Sequence, residues 1–321
     1  MKLAKNSNMV VYTHDDLDGV GCAILGKLAF PNVKIHFCSN SNIDDKISYD
    51  LENNILTDVD YIFITDICPT QEVLDRLPNT ILSKMLVLDH HATRKALAER
   101  YNFVKIITEQ SNKKASGTSL FYQFLTKNNL LNNKPCINEF CELVRQYDTW
   151  EWTINNNMLP NDLNILWQLN GNEKFLNKTI NKLNESNFFQ FTEDEKNIIE
   201  KYKINHQKQV EKYADEVIYG TLNNFKCGLV KAEDEYKNDI SGELKKRKSD
   251  IDFLAVEIPN KQSLSLRTVN VNFDLTIITD LLGGGGRKDT ASCPKNSFYE
   301  HFNQNKNISK NQKENDDELS K

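Results

Sequence analysis

The sequence predicts an α/β protein: a parallel, doubly wound sheet in an N-terminal domain, a helical connector, and a smaller α/β C-terminal domain. Three observations carry that expectation. Short apolar and β-branched runs alternate with segments of helical periodicity as far as residue 107. Three of those runs end abruptly in His or Asp, as strands do where a parallel sheet turns its carboxyl edge to a ligand. A polar, Asn-, Lys- and Glu-rich stretch at 161–213 then separates this region from a second set of strand-like runs.

The first run, 9–13 (Met-Val-Val-Tyr-Thr), reads as a buried strand. It stops at His14, Asp16 and Asp18, spaced so that the three lean the same way, and Gly19 and Gly21 open a helix at 22–30. A polar turn with Asp18 as the helix cap is the plain alternative. One cap does not account for an imidazole and three aspartates within five positions. Strands follow at 33–38, at 60–65 with Asp66 behind it, and at 85–88 running into Asp89-His90-His91. Helices are expected at 71–76 and 94–100, and another strand at 103–107. Segment 115–125 reads as a helix with Ser116, Gly117 and Thr118 at its start, where amides meet a phosphate or, as readily, a hydroxyl cap serves. A helix at 138–147 leads to Asp148-Thr149-Trp150-Glu151-Trp152, whose tryptophans suit base stacking but at this spacing more often pack a core or an interface.

Beyond the connector, strands at 226–230, 251–258 and 263–269 belong to a second domain that begins near residue 214. It carries Arg267 and, after a helical stretch at 275–282, the run Gly283-Gly284-Gly285-Gly286-Arg287. Such a run is a phosphate cradle of backbone amides or a flexible turn. Residues 303–321 hold almost nothing apolar and are expected to be a disordered tail. The expected organisation is therefore 1–160, 161–213, 214–302 and 303–321.

The 321 residues suffice for two domains, and 39% hydrophobic with 26% charged residues is a globular balance. No apolar run reaches eighteen residues and no secretory h-region opens the chain, so no membrane association is expected. Seven cysteines without paired CxxC spacing fit the reducing cytoplasm, with Cys22 and Cys68 as small apolar filler. A net charge of −5 leaves little for a long basic groove, so a phosphate ligand should be short. No obligate protein partner is inferred, and a homodimer stays open. His36, His206 and His301 are expected to be structural.

The set His14-x-Asp16-x-Asp18-Gly, Asp66, Asp89-His90-His91 and Asp148, followed by the glycine run, resembles the DHH phosphoesterase family over roughly residues 9–300. Glu-Leu-Val-Arg-Gln-Tyr-Asp-Thr-Trp-Glu-Trp at 142–152 and Ser-Leu-Arg-Thr at 265–268 look like its nanoRNase-B-type oligoribonucleases. The resemblance implies a two-manganese site in a cleft between the domains. One ion would take His14, Asp16 and Asp66, and the other Asp18, Asp66, His90 and Asp148, with Asp66 shared. Two metals would activate a hydroxide for in-line attack on phosphorus. His91 would neutralise the phosphate or protonate the leaving oxygen, and Asp89 would orient the histidines. Arg267, Gly284, Gly285, Gly286 and Arg287 would bind the substrate. Carboxylates and imidazoles without thiolate suit Mn²⁺ over a structural zinc, with Mg²⁺ or Co²⁺ as alternatives.

The implied activity is 3′-5′ hydrolysis of very short RNA to mononucleotides. The alternatives are a phosphatase on 3′-phosphoadenosine 5′-phosphate, a cyclic-dinucleotide phosphodiesterase, or a non-catalytic nucleotide-binding module. Four positions depart from the family pattern: Arg287 replaces a histidine, Thr290 an alanine, Ser292 the final glycine, and Asp15 an asparagine.

Overall fold

Val10, Val11 and Tyr12 are wholly buried, as in a strand covered on both faces, and they form the middle of β1 (Met9–His14). The computed structural model describes residues 6–304, which divide into two compact units at residues 199 and 200. In the first unit β1 is followed by α1 (Leu17–Ala29), β2 (Val33–Cys38), α2 (Ile43–Glu52), β3 (Tyr61–Thr65), α3 (Gln71–Arg76), α4 (Asn79–Leu82), β4 (Met85–Asp89), α5 (Lys95–Arg100) and β5 (Val104–Ile106). The five strands are parallel in the order β2-β1-β3-β4-β5. In this doubly wound order the connections reverse direction between β1 and β3, so the loops after those strands part and leave a crevice at the carboxyl edge.

Register then aligns the chemistry. Thr13 pairs with Thr65 and Thr65 with Leu88, so His14, Asp66 and Asp89 come level across three adjacent strands. One face of the sheet packs Val10, Tyr12, Ile62, Ile64 and Val87 under Ile47 of α2, Leu74 of α3 and Leu97 of α5. Phe63, out of phase with its neighbours, meets Phe30, Phe121 and Phe124 on the other face.

A two-stranded hairpin, β6 (Glu109–Gln110) and β7 (Lys113–Lys114), leads to α6 (Gly117–Lys127), α7 (Pro135–Asp148), α8 (Glu151–Ile154) and α9 (Leu159–Glu185). Helix α1 packs against α6 and α9. Gly171, at φ 68°, breaks the helical path of α9. The unit boundary falls within α10 (Glu193–Asp215). Among the described residues no helix is long and apolar enough to cross a membrane.

The second unit holds β8 (Ile218–Leu222), β9 (Phe225–Lys231), α11 (Lys237–Lys246), β10 (Phe253–Glu257), β11 (Ser263–Thr268), α12 (Thr276–Leu282), β12 (Gly285–Gly286), β13 (Thr290–Pro294), α13 (Lys295–His301) and β14 (Phe302–Gln304). Its sheet runs β12-β13-β11-β10-β9-β8-β14, with β9 and β10 parallel and the other neighbours antiparallel. Alternate residues of β10 enter two cores: Phe253 and Ala255 join Ile278 and Phe298, while Leu254 and Val256 join Ile240 and Leu244. Of the tail expected at 303–321, Asn303 and Gln304 belong to β14, and 305–321 lie outside the described residues.

One charged group is wholly buried beneath the first sheet. Asp50 accepts hydrogen bonds from the Tyr12 hydroxyl (2.6 Å) and from Lys46 Nζ (2.6 Å). Burial, then this carboxylate, pushes the Tyr12 phenol far above its ordinary range. Asp50→Ala is expected to leave the phenol and Lys46 unpaired and to cost about 3 kcal/mol. Urea unfolding measures this, and a change below about 0.5 kcal/mol would mean that the network contributes nothing.

Candidate metal centre

The chain leaves β1 in a turn that binds itself. Asp16, not the Asp18 suggested by the sequence, is the N-cap of α1: its Oδ1 accepts from Gly19 N at 2.9 Å. Its Oδ2 accepts from His14 Nδ1 at 2.5 Å. That hydrogen bond raises the His14 imidazole pKa. Burial opposes ionisation of Asp16, but His14 and the Gly19 amide outweigh it and hold the carboxyl below its usual range. A Cβ on Gly19 would lie 1.9 Å from the His14 carbonyl oxygen, so only glycine lets the helix start this close to the strand end.

Asp18, 2% exposed, points into the N-terminus of α6. Its carboxylate accepts from Gly117 N (2.5 Å) and Thr118 N (2.9 Å), and its carbonyl from Thr118 Oγ1 (2.7 Å). The amides at 117 and 118 are therefore taken by a carboxylate of the chain itself. Ser116, meanwhile, closes a capping box with Ser119.

Asp66, also 2% exposed, sits at φ 61°, a left-handed conformation that aspartate tolerates better than bulkier residues. Gly117 presses against it so closely that a Cβ there would stand 2.3 Å from Asp66 Cβ. Asp89 Oδ1 accepts from His90 N (2.8 Å) and from His91 Nδ1 (2.7 Å). His90 Nε2 lies 3.2 Å from Asp66 Oδ1, 3.5 Å from Asp148 Oδ2 and 3.9 Å from Asp18 Oδ2.

Three donor groups result, each with ligand atoms within 4.8 Å of one another: His14, Asp16 and Asp66; Asp18, His90 and Asp148; and Asp66, Asp89, His90 and His91. The fold thus gathers all eight sequence-selected residues of the first unit. Three buried oxygens there, Asp66 Oδ2, Asp89 Oδ2 and Asp148 Oδ2, have no hydrogen-bond partner. Burial, and then the charges of Asp18 and Asp16, raise the Asp66 carboxyl far above its range and Asp148 to about 8. Burial lowers the His90 pKa, and the hydrogen bond to Asp89 raises that of His91. Orphaned, crowded carboxylate oxygens beside imidazoles, with no thiolate among them, fit divalent cations.

Two supporting residues, Arg145 and Asn172, were not singled out by sequence reasoning. Arg145 of α7 is buried and uses all five N–H donors: Nε (2.9 Å) and Nη2 (2.8 Å) on Glu142, Nη1 (2.7 Å) and Nη2 (2.6 Å) on Glu151, and Nη1 (3.0 Å) on the Lys114 carbonyl. It brackets the turn after Asp148 and, against the opposing effect of burial, helps hold Glu142 down at about 2. The only sequence signal was a helical arginine with acids three before and six after. Asp15 is exposed and accepts from Asn172 Nδ2 at 2.6 Å, while Asn172 Oδ1 accepts from Trp167 Nε1 at 2.8 Å.

Arg267, Gly284, Gly285, Gly286 and Arg287 belong to the second unit. Arg267 Nε donates to Asn238 Oδ1 (2.6 Å), and its Nη1 to the Leu266 carbonyl (2.7 Å) and Ser265 Oγ (3.0 Å). Gly283 ends α12 in the left-handed region, Gly284 N donates to Thr279 O (2.8 Å), and Gly285 and Gly286 pair with Ser292 and Ala291. Arg287 N donates to Thr290 O (2.7 Å), so the Gly284 and Arg287 amides are already spent within the fold. The Arg287 side chain is exposed.

A parallel sheet whose carboxyl edge gathers hard oxygen and nitrogen donors suits a metal-assisted phosphoesterase. The comparisons agree. Residues 8–145 match the family model described as DHH family, N-terminal domain. The chain is 30% identical over 298 residues to oligoribonuclease NrnB of Bacillus subtilis (strain 168), covering 91% of this chain and 74% of NrnB. It is 26% identical over 226 residues to a 3′,5′-cyclic-nucleotide phosphodiesterase of Helicobacter pylori, covering 64% of this chain and 57% of that protein. The pGpG-specific phosphodiesterase PggH of Vibrio cholerae shares the fold, with a TM-score of 0.51 at 15% identity over 89% of this chain and 92% of PggH. So does RecJ of Thermus thermophilus solved with Mn²⁺, with a TM-score of 0.50 at 12% identity over 94% of this chain and 51% of RecJ. The chain belongs to the DHH family of phosphoesterases.

Two outcomes follow from the geometry. Gly117→Ala is expected to displace Asp66 and the Asp18 cradle together and to weaken Mn²⁺ binding by about 10-fold or more. Calorimetric titration reads this, and an unchanged affinity would refute the close-approach argument. The second outcome concerns pH. Folded Asp66 and Asp148 keep their protons to higher pH than they do in the unfolded chain. The stability that Asp148 contributes is therefore complete below pH about 4 and is lost as pH rises towards about 8, and that of Asp66 changes in the same direction. In chelator the melting temperature is expected to fall across that window, and Mn²⁺ should restore most of it; a flat profile in chelator would contradict the crowding.

Proposed function

We propose that this protein is a divalent-cation-dependent phosphodiesterase that hydrolyses oligoribonucleotides of a few residues to mononucleotides from the 3′ end. One observation carries the reading: two donor groups, His14/Asp16/Asp66 and Asp18/His90/Asp148, abut through the 3.2 Å approach of His90 Nε2 to Asp66 Oδ1. Two ions, for which Mn²⁺ is our assignment, would be held by these six residues with Asp66 shared. They would supply charge neutralisation for the phosphate and an acidified water.

The remaining roles belong to the chain. Asp16 and Asp18 are aimed by the Gly19, Gly117 and Thr118 amides, so the donors are oriented before substrate arrives. His91, half exposed, donates its Nδ1 proton to Asp89; Nε2 is then the atom left to give a proton to the leaving oxygen. Asp89 raises the His91 pKa, which favours that acid role near neutrality. In the second unit we assign Arg287, with Arg267, to substrate phosphate. The net charge of −5 supports a short substrate that needs no basic groove. The names of the B. subtilis and H. pylori relatives support phosphodiester hydrolysis, and the latter also favours a second reading, cleavage of a cyclic nucleotide.

The deciding experiment follows hydrolysis of a labelled two-to-five-nucleotide RNA series, with Mn²⁺ and with chelator. A 3′,5′-cyclic nucleotide, pGpG and 3′-phosphoadenosine 5′-phosphate run in parallel. Cation-dependent release of mononucleotides from the shortest RNAs is expected; turnover confined to the cyclic nucleotide or the bisphosphate would replace the reading. Asp66→Asn keeps a residue suited to left-handed backbone while removing the shared charge. It should lower kcat at least about 1,000-fold and raise the melting temperature of the chelated protein, because one crowded buried carboxylate is gone. Arg287→Ala should raise KM with kcat little changed, and constancy of both would remove Arg287 from the substrate site.

A further inference from the structure

We propose that Trp150 is a stacking platform for a nucleobase of the substrate, held beside Asp148 by the Arg145 clamp. The inference rests on the short-RNA reading above and adds a residue that recognises the base. Trp150 follows Asp148 by two positions, so their Cα atoms lie at most about 7 Å apart, comparable to the span from a phosphate to its own base.

Three features distinguish this side chain. It is 62% exposed, an unusual disposition for an indole in a folded domain. Its backbone is left-handed at φ 62°, a conformation that disfavours bulky residues and persists only where surrounding contacts impose it. The imposing contacts are visible. Arg145 grips Glu142 behind the turn and Glu151 beyond it, and Thr149 Oγ1 donates to the Arg145 carbonyl at 2.8 Å. The strained turn is thus held firmly while the indole it carries stays largely in solvent.

The ring is also oriented. Tyr147 and Trp152 lie with centroids 6.2 Å apart and planes 13° from parallel, and Trp152 and Trp150 follow at 6.1 Å and 26°. This ladder of near-parallel rings ends in the largely exposed indole of Trp150. Every base has a π-face of its own, so stacking there tolerates any sequence. In a chain of net charge −5, stacking supplies affinity that a basic groove does not. The rival occupant is a protein partner, because Ile154, 80% exposed, lies four residues on.

The test titrates AMP and ribose 5-phosphate calorimetrically into the Mn²⁺-loaded full chain. Trp150→Ala should weaken AMP binding about 5- to 150-fold and leave ribose 5-phosphate unchanged, while Trp150→Phe keeps most of the AMP affinity. Hydrolysis of pApA should show the same loss as a raised KM. Equal AMP affinity in wild type and Trp150→Ala, equal loss for both ligands, or no AMP binding by the wild type would each overturn the proposal. A change in sedimentation with AMP affinity intact would overturn it too, giving the patch to a protein contact. AMP binding through Trp150 without turnover of any RNA would sink the short-RNA reading and leave the stacking site standing.

Discussion

The carboxylate of Asp18 seated on the first amides of α6 is the contact on which the first unit depends. It joins residues about a hundred positions apart, with hydrogen bonds of 2.5 and 2.9 Å to Gly117 and Thr118. A helix N-terminus carries unsatisfied N–H groups and a positive dipole end, and a buried carboxylate carries oxygens that need donors. Each solves the other's problem, and together they bring α6 onto the carboxyl edge of the sheet. Gly117 can then press against Asp66, which the close approach of their backbones requires.

That seat makes tolerable an arrangement that is otherwise costly. Asp16, Asp18, Asp66, Asp89 and Asp148 share a small volume in which three carboxylate oxygens lack hydrogen-bond partners. Burial and mutual repulsion push Asp66 and Asp148 towards their protonated forms. A protein selected only for stability would fill such a volume with apolar side chains. Keeping acids there fits a site able to hold a cation, whose binding would couple the stability of the first unit to pH and metal.

The turn after Asp148 shows the same division of labour. Arg145 satisfies two glutamates and a carbonyl with its five donors, and the segment it brackets contains one left-handed tryptophan. A lysine, with three donors on a point charge, offers no planar fork and could not bridge both carboxylates in this way. The hydrogen-bonded supports thus extend beyond the clustered donors, to Arg145 and to Asn172 and Trp167 beside Asp15.

Much of this was legible in the chain alone. Strand runs ending in His14, Asp66 and Asp89 give the fold class, because a parallel sheet buries both faces and leaves its chemistry at the strand ends. The resemblance to the DHH family, rather than spacing alone, pointed to the eight residues that the fold gathers there, for Asp148 is a lone acid in the chain. Helix α2 escaped notice because its acids mask the period, with Ile43 and Ile47 as its buried apolar residues. Likewise, local spacing suggested Asp18 as the cap of α1 and a phosphate at α6, whereas Asp16 is the cap and Asp18 occupies the α6 amides. The glycine run read as a cradle of open amides or as a flexible turn, whereas Gly285 and Gly286 pair with β13. Sequence determines periodicity and donor type, which are properties of neighbours along the chain. Which donor meets which amide, and whether Arg145 finds both its glutamates, is decided only when segments far apart in sequence pack. Those choices are set by register and close approach, neither of which a local pattern encodes.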